Sequence, residues 1–161
     1  MTTEEYNLSV ENFSDGAYRF ILKNIRDSNK AQDIIQDTYE KLWKNVSIVD
    51  FKKVKSYIFS TAYHTMIDLI RREKRKVDFE EVSLLNYSHT EHYSDLKDIL
   101  NEAIEKLPDI QKSVVLLRDY EGYSYKEIAE ITNLNESQVK VYIFRARKYL
   151  KNYIVSTELV V

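Results

Sequence analysis

The residues of this 161-residue chain best suited to recognition chemistry lie in its last third. From Val139 to Tyr153 there are five basic side chains, Lys140, Arg145, Arg147, Lys148 and Lys151, and no acidic one. Ammonium and guanidinium groups at that density bind phosphate, and one of them aimed at a base edge reaches guanine O6 and N7. The segment before them carries the devices that would aim them. Gly122 suits the left-handed position just past a helix end. Ser124 and Glu127 have capping-box spacing, so Ser124 caps and Glu127 reaches back. Ile128, Ala129 and Ile131 give a short apolar face. Asn133 tolerates the positive φ of a tight turn between helices, and Asn135 to Gln138 restart the chain with a second box-like cap. Two short helices around a tight turn, the second one basic, are the layout of a DNA-reading helix-turn-helix.

A second cationic cluster, Arg71, Arg72, Lys74, Arg75 and Lys76, ends the cleanest helical period in the chain. Val54, Tyr57, Ile58, Thr61, Ala62, Thr65, Met66, Leu69 and Ile70 recur at three and four residues, which predicts a helix starting near Lys52. Two readings fit the cluster: a helix end whose cations match the macrodipole, or a phosphate-binding segment.

The remaining elements follow from spacing. Phe13, Ala17, Phe20, Ile21 and Ile25 predict a helix from about Val10 to Arg26. Asp27-Ser28-Asn29 breaks it and supplies a cap. A second helix, about Lys30 to Asn45, would bury Ala31, Ile34, Ile35, Thr38, Tyr39, Leu42 and Trp43. Residues 77–93 have no clear period and read as a linker. Ser94 suits the cap of a helix carrying Leu96, Ile99, Leu100, Ala103, Ile104 and Leu107. Pro108 fits the first turn of the next helix, which would bury Ile110, Val114, Val115 and Leu117. The expected fold is all-α, with a three-helix domain over residues 1–76, the linker over 77–93, a four-helix domain over 94–154 and a short tail over 155–161 that has no evident role.

Composition narrows the function. Two glycines and one proline argue against a sandwich or barrel with its many turns. No apolar run approaches the ~20 residues of a membrane span. Met1 to Asn12 is polar and acidic, unlike a signal peptide. Without cysteine there are no disulfides and no thiolate metal sites, as suits a reducing compartment. The net charge is −2, but it is unevenly spread. Residues 54–76 hold six Lys/Arg against two Asp/Glu, and residues 77–105 hold one against eight. Basic segments on both sides of an acidic connector suit a protein that binds DNA while held on a larger machine.

Three blocks, taken together, resemble the extracytoplasmic-function (ECF) sigma factors, specificity subunits of bacterial RNA polymerase. Ala31-Gln32-Asp33-Ile34-Ile35-Gln36-Asp37 through Leu42-Trp43 resembles the region-two helix that docks on the polymerase. Ser56-Tyr57-Ile58 through Asp68-Leu69-Ile70-Arg71-Arg72 resembles the helix that opens and reads the minus-ten element. Leu107-Pro108, Glu121 to Ala129, Val139-Lys140 and Arg145-Ala146-Arg147 resemble region four, which reads the minus-thirty-five element. The blocks occur in order across nearly the full length.

The resemblance implies roles for particular residues. Asp33, Gln36, Asp37 and Lys41 would meet the polymerase. Tyr63, His64, Arg71, Arg72 and Arg75 would meet the minus-ten DNA. Gln138, Lys140, Val141, Phe144, Arg145 and Lys148 would meet the minus-thirty-five DNA, while Val139, Ile143, Ala146 and Leu150 face the core. The chain departs from the family in two places. Tyr63-His64 stands where Arg-Asn is usual, so Tyr63 would stack on an unpaired base or pack against the neighbouring helix. Val141-Tyr142 stands where Ser-Arg is frequent, so Val141 would touch a thymine methyl. The implied partners are core RNA polymerase, through its beta-prime clamp and beta flap, promoter DNA and an anti-sigma factor. No cofactor, metal, small-molecule substrate or membrane insertion is implied, and the implied location is cytoplasmic.

Other classes fit less well. An enzyme lacks the inventory: Gly16 and Gly122 are isolated, so there is no phosphate-cradling loop, and His89 with His92 is an incomplete metal set. A stand-alone helix-turn-helix regulator accounts for the C-terminal third and leaves the second and third helices unexplained. A purely structural helical adaptor accounts for the helices and not for the two basic segments.

Overall fold

A computed structural model describes the backbone of residues 1–79 and 96–159 and the side chains of 1–76 and 96–157. Among the described residues the regular structure is helical. The helices are α1 (Thr3–Ile25), α2 (Ser28–Lys44), α3 (Val54–Phe79), α4 (Leu96–Glu105), α5 (Asp109–Val115), α6 (Tyr125–Thr132) and α7 (Glu136–Leu159). A 3-10 turn, Phe51–Lys53, precedes α3, and a π-helical turn, Leu116–Tyr120, follows α5. The linker expected over 77–93 falls mostly outside the described residues, as do its His89 and His92 and the Ser94 cap. Its first three residues continue α3.

Local chemistry sets the boundaries. α1 begins at Thr3, a full two turns before the expected Val10, because Thr2 and Glu5 form a reciprocal capping box. Glu4 and Glu5 in the first turn also complement the helix dipole. α1 stops at Arg26, which takes a left-handed φ of 58°, and Asp27 then caps α2 by accepting from the Lys30 amide. Pro108 sits one position earlier than expected, as the residue before α5. α7 runs through residues expected to form a tail, and its Tyr153 hydroxyl accepts from the Lys106 ammonium at 3.1 Å.

Helices α1, α2 and α3 pack on one another, as do α4 to α7, so both expected units are present. They also share a core. One continuous cluster of buried side chains runs from Ala17, Phe20 and Ile21 through Ile58, Phe59 and Met66 to Leu117, Tyr123, Ile128 and Ile143. Phe59 on α3 lies 5.9 Å from the Phe20 ring and 5.1 Å from the Tyr123 ring. The periodicity predicted the α3 face toward α1 and α2. It missed Phe59, which Tyr123 of the second unit covers.

Polar contacts across this seam are specific. Arg19 donates twice to the Glu121 carboxylate, at 2.9 and 2.8 Å, and the Glu121 side chain keeps 5% of its exposure. Asn24 accepts from the Ser113 hydroxyl through Oδ1 at 2.9 Å and from Lys112 Nζ through its backbone carbonyl at 3.3 Å. Lys112 is buried. Burial pulls its ammonium below the usual lysine range, and the Asp109 and Glu105 carboxylates oppose that shift. One neutral acceptor is poor compensation for a buried cation. Lys112→Met, which keeps the length and removes the charge, is therefore expected to raise stability by about 1 kcal/mol in urea unfolding. A loss of stability would show that the bond to Asn24 outweighs the desolvation.

Candidate nucleic-acid and polymerase interfaces

The helix-turn-helix is built as its sequence indicates. Gly122 has φ 77° and Asn133 φ 60°. Ser124 Oγ accepts from the Glu127 amide at 3.1 Å, and Glu127 accepts from the Ser124 amide at 3.1 Å. Asn135 and Gln138 repeat the reciprocal arrangement at the start of α7, at 2.8 and 3.1 Å. Val139, Ile143 and Ala146 are buried, with Leu150 partly so. That fixes the opposite face of α7 outward.

Of the six residues expected at the minus-thirty-five DNA, all are exposed, but they are not equally available. The Gln138 side-chain oxygen is occupied by the cap. Lys140 stands 5.7 Å from the Tyr125 ring, which also takes the Arg118 guanidinium at 4.6 Å. Val141, Phe144, Arg145 and Lys148 remain, with no hydrogen-bond or ion-pair partner among the described residues. Arg147, the one α7 cation within the family-like block that was not expected to touch DNA, is held by Asp119 in a two-point contact at 2.6 and 3.1 Å. A groove of about 530 Å³ runs beside Phe144, lined by Tyr125, Lys140, Ile143, Arg147, Lys148 and Lys151.

On α3 the expected DNA residues divide. Arg71, Arg72 and Arg75 are exposed, line one cleft with Asp68, and have no ion-pair partner among the described residues. Lys74 instead reaches Asp109 of α5 at 3.3 Å. His64 is exposed with its ring edge-on to Tyr63 at 5.2 Å. Tyr63 keeps 5% of its exposure. Burial raises its phenol above the usual tyrosine range, while Arg71 pulls it down and Asp109 pushes it further up. In this arrangement its ring is buried and packed against its neighbours.

On α2, Asp33 and Gln36 are exposed and have no partner among the described residues. Asp37 pairs with Lys41 at 3.0 Å, one turn on, and Lys41 also donates to Thr65 of α3 at 3.2 Å. The four expected residues thus form one polar face, half free and half internally tied. Trp43 was expected in the buried face. It is 49% exposed, resting edge-on against Tyr6 at 5.0 Å. Its helical position marks the border of the stripe, a place where periodicity cannot separate buried from half-exposed.

Among the described residues there is no cluster of His, Asp and Glu arranged to hold a metal, and no helix long and apolar enough to cross a membrane.

The comparisons agree with this geometry. The model of Sigma-70 region 2 matches residues 10–76, and that of Sigma-70 region 4 matches residues 97–150. RNA polymerase sigma factor SigV of Bacillus subtilis (strain 168) is 31% identical over 145 residues, covering 88% of this chain and 86% of its own. ECF RNA polymerase sigma factor SigM of the same organism is 28% identical over 144 residues, covering 86% and 88%. The sigma factor RpoE from Bartonella quintana, solved with the anti-sigma factor NepR, superposes with a TM-score of 0.79 at 20% identity, covering 94% of this chain and 98% of that one. Region 2 followed by region 4 across the chain, with relatives at that level of identity, places this chain in the ECF family of RNA polymerase sigma factors.

Proposed function

We propose that this sigma factor docks on core RNA polymerase through the polar face of α2, engages and opens the minus-ten element with α3, and reads the minus-thirty-five element with α7. Residues 1–76 would form the docking and melting domain and residues 94–154 the minus-thirty-five domain. The observation that carries the reading is the pairing of two separate, outward, cation-rich DNA surfaces with an exposed acidic and amide face on α2 that has no use in DNA binding. A stand-alone regulator would have no use for that third surface. The beta-prime clamp is the proposed partner of α2 and the beta flap that of the α4–α7 unit. An anti-sigma factor is the proposed regulatory partner, by analogy with the RpoE complex. A cytoplasmic location follows from the partners. The polymerase supplies the chemistry, so no residue of this chain has a catalytic role.

Run-off transcription on a genomic promoter pool tests the reading. Core polymerase plus this protein is expected to start at a defined promoter set, and the protein alone is expected not to shift those promoters. A tight, specific shift without polymerase would favour the regulator.

The docking face has its own test. Replacing Asp33, Gln36 and Asp37 together by alanine should weaken core binding at least tenfold, because hydrogen bonds to charged groups contribute about 1.5–3 kcal/mol each. Helicity and melting should barely change, as surface substitutions usually leave them. Unaltered affinity for core would remove α2 from the docking surface.

A further inference from the structure

The minus-thirty-five helix holds its hydrogen-bonding groups and its apolar groups differently. Gln138 spends its side-chain oxygen on the cap, and Arg147 is tied to Asp119. Lys140 leans on Tyr125. The side chains left at the centre of the outward face are Val141, 44% exposed, and Phe144, 68% exposed. They sit three residues apart on one helical face, so their side chains are neighbours. Phe144 is the most exposed aromatic ring among the described residues. Val141 and Phe144 together make a contiguous apolar patch rimmed by cations, the kind of surface that marks a contact completed by a partner.

The partner's chemistry follows from what surrounds the pair. From Val139 to Tyr153 every charged side chain is basic, so the occupant must be strongly anionic at the rim and apolar at the centre. Duplex DNA meets both conditions in its major groove. Phosphates flank the groove, and thymine presents a C5 methyl group on its floor. No other base carries an apolar group there.

We propose that Val141 and Phe144 are the specificity-determining residues of this chain at the minus-thirty-five element, and that they select it through thymine methyl groups. The proposal rests on the placement of α7 in the major groove. Arg145 and Lys148 anchor the phosphates on either side, and Arg145 alone of the free cations is near enough to the centre to add a guanine contact. The element is therefore expected to carry thymine at one or two adjacent positions facing Val141 and Phe144. The family-like serine and arginine that Val141-Tyr142 replaces would have selected by hydrogen bonding instead.

Deoxyuridine tests this directly, because it pairs like thymidine and lacks only the methyl group. The first step is selection of minus-thirty-five sequences from a randomised promoter library by the full-length protein with core polymerase. The second replaces each selected thymine by deoxyuridine and measures promoter occupancy. For the wild type, each methyl removed is expected to cost about fourfold, the value of one buried methyl group. For Val141→Ala/Phe144→Ala the thymine and uracil promoters should bind alike. Phe144→Leu, which keeps an apolar group, should retain the methyl dependence. Both positions are exposed, so these variants should fold, and unchanged circular dichroism would confirm it. A wild type that selects a sequence but treats thymine and uracil alike overturns the inference while leaving α7 as the reader. So does a methyl dependence that persists in the double variant. A wild type that selects no minus-thirty-five sequence overturns the placement of α7, and this inference with it.

Discussion

Phe59→Ala is expected to lower the unfolding free energy by about 3–5 kcal/mol, the usual cost of emptying a buried aromatic site. The ring is 3% exposed and touches Phe20 on one side and Tyr123 on the other. Its loss removes packing inside the first unit and across the seam together. The wild type is therefore expected to unfold in one step, since its core is continuous. In the variant the two units should part company. The chain has one tryptophan, Trp43 on α2, so its fluorescence follows the first unit while circular dichroism follows all helices. The two urea transitions should coincide for the wild type and separate for Phe59→Ala. A loss below about 1 kcal/mol would mean that Phe59 contributes little to the seam, and coincident transitions in both proteins would mean that other contacts couple the units without it.

Replacing Arg71, Arg72 and Arg75 together by alanine is expected to weaken promoter binding by the polymerase complex about a hundredfold near 0.1 M salt. Each phosphate contact releases close to one counterion, so three lost contacts should also flatten the slope of log K against log salt by about two to three. The sequence preference should not change, because phosphates carry no base information. Stability should hardly move, since all three side chains are exposed and unpaired with any carboxylate among the described residues. Lys74 is a useful contrast. It is tied to Asp109, so Lys74→Ala should affect the slope less while the units remain packed. An unchanged salt slope in the triple variant would remove these arginines from the DNA surface, and since α3 runs on to Phe79 the helix-end reading leaves only Lys76 in the last turn.

The pair Arg19–Glu121, half-exposed at the guanidinium and covered at the carboxylate, illustrates why the seam was illegible beforehand. The two residues are 102 positions apart in the chain, and neither belongs to an apolar pattern. Glu121 read as part of a family-like turn before the helix-turn-helix, and nothing in the local pattern singled out Arg19. Their fit depends on the angle at which two units meet, which no local pattern encodes. The same holds for Lys112 and Ser113, buried polar groups that meet Asn24 of the other unit, and for Arg147, whose guanidinium is claimed by Asp119 from the π-helical turn. The α1 start is a different case. Thr2 and Glu5 carried a capping-box spacing in plain view, and the polar residues between them and Val10 concealed it.

What the sequence determined by itself is everything governed by neighbours within about one turn. Ser124 with Glu127, Asn135 with Gln138, Gly122 and Asn133 specify the helix-turn-helix because caps and left-handed turns are satisfied by groups three or four residues away. The buried face of α7 was legible for the same reason, since Val139, Ile143 and Ala146 recur at helical spacing. Tertiary structure alone decided which of the remaining outward groups are free. It buried Phe59 against Tyr123 of a second unit, buried the Tyr63 ring, left Trp43 half in water, and tied Arg147 and Lys74 to carboxylates while sparing Phe144 and Arg145. Periodicity says which way a side chain points, and the element packed against it, chosen by contacts distant in sequence, determines whether that side chain meets protein, water or DNA.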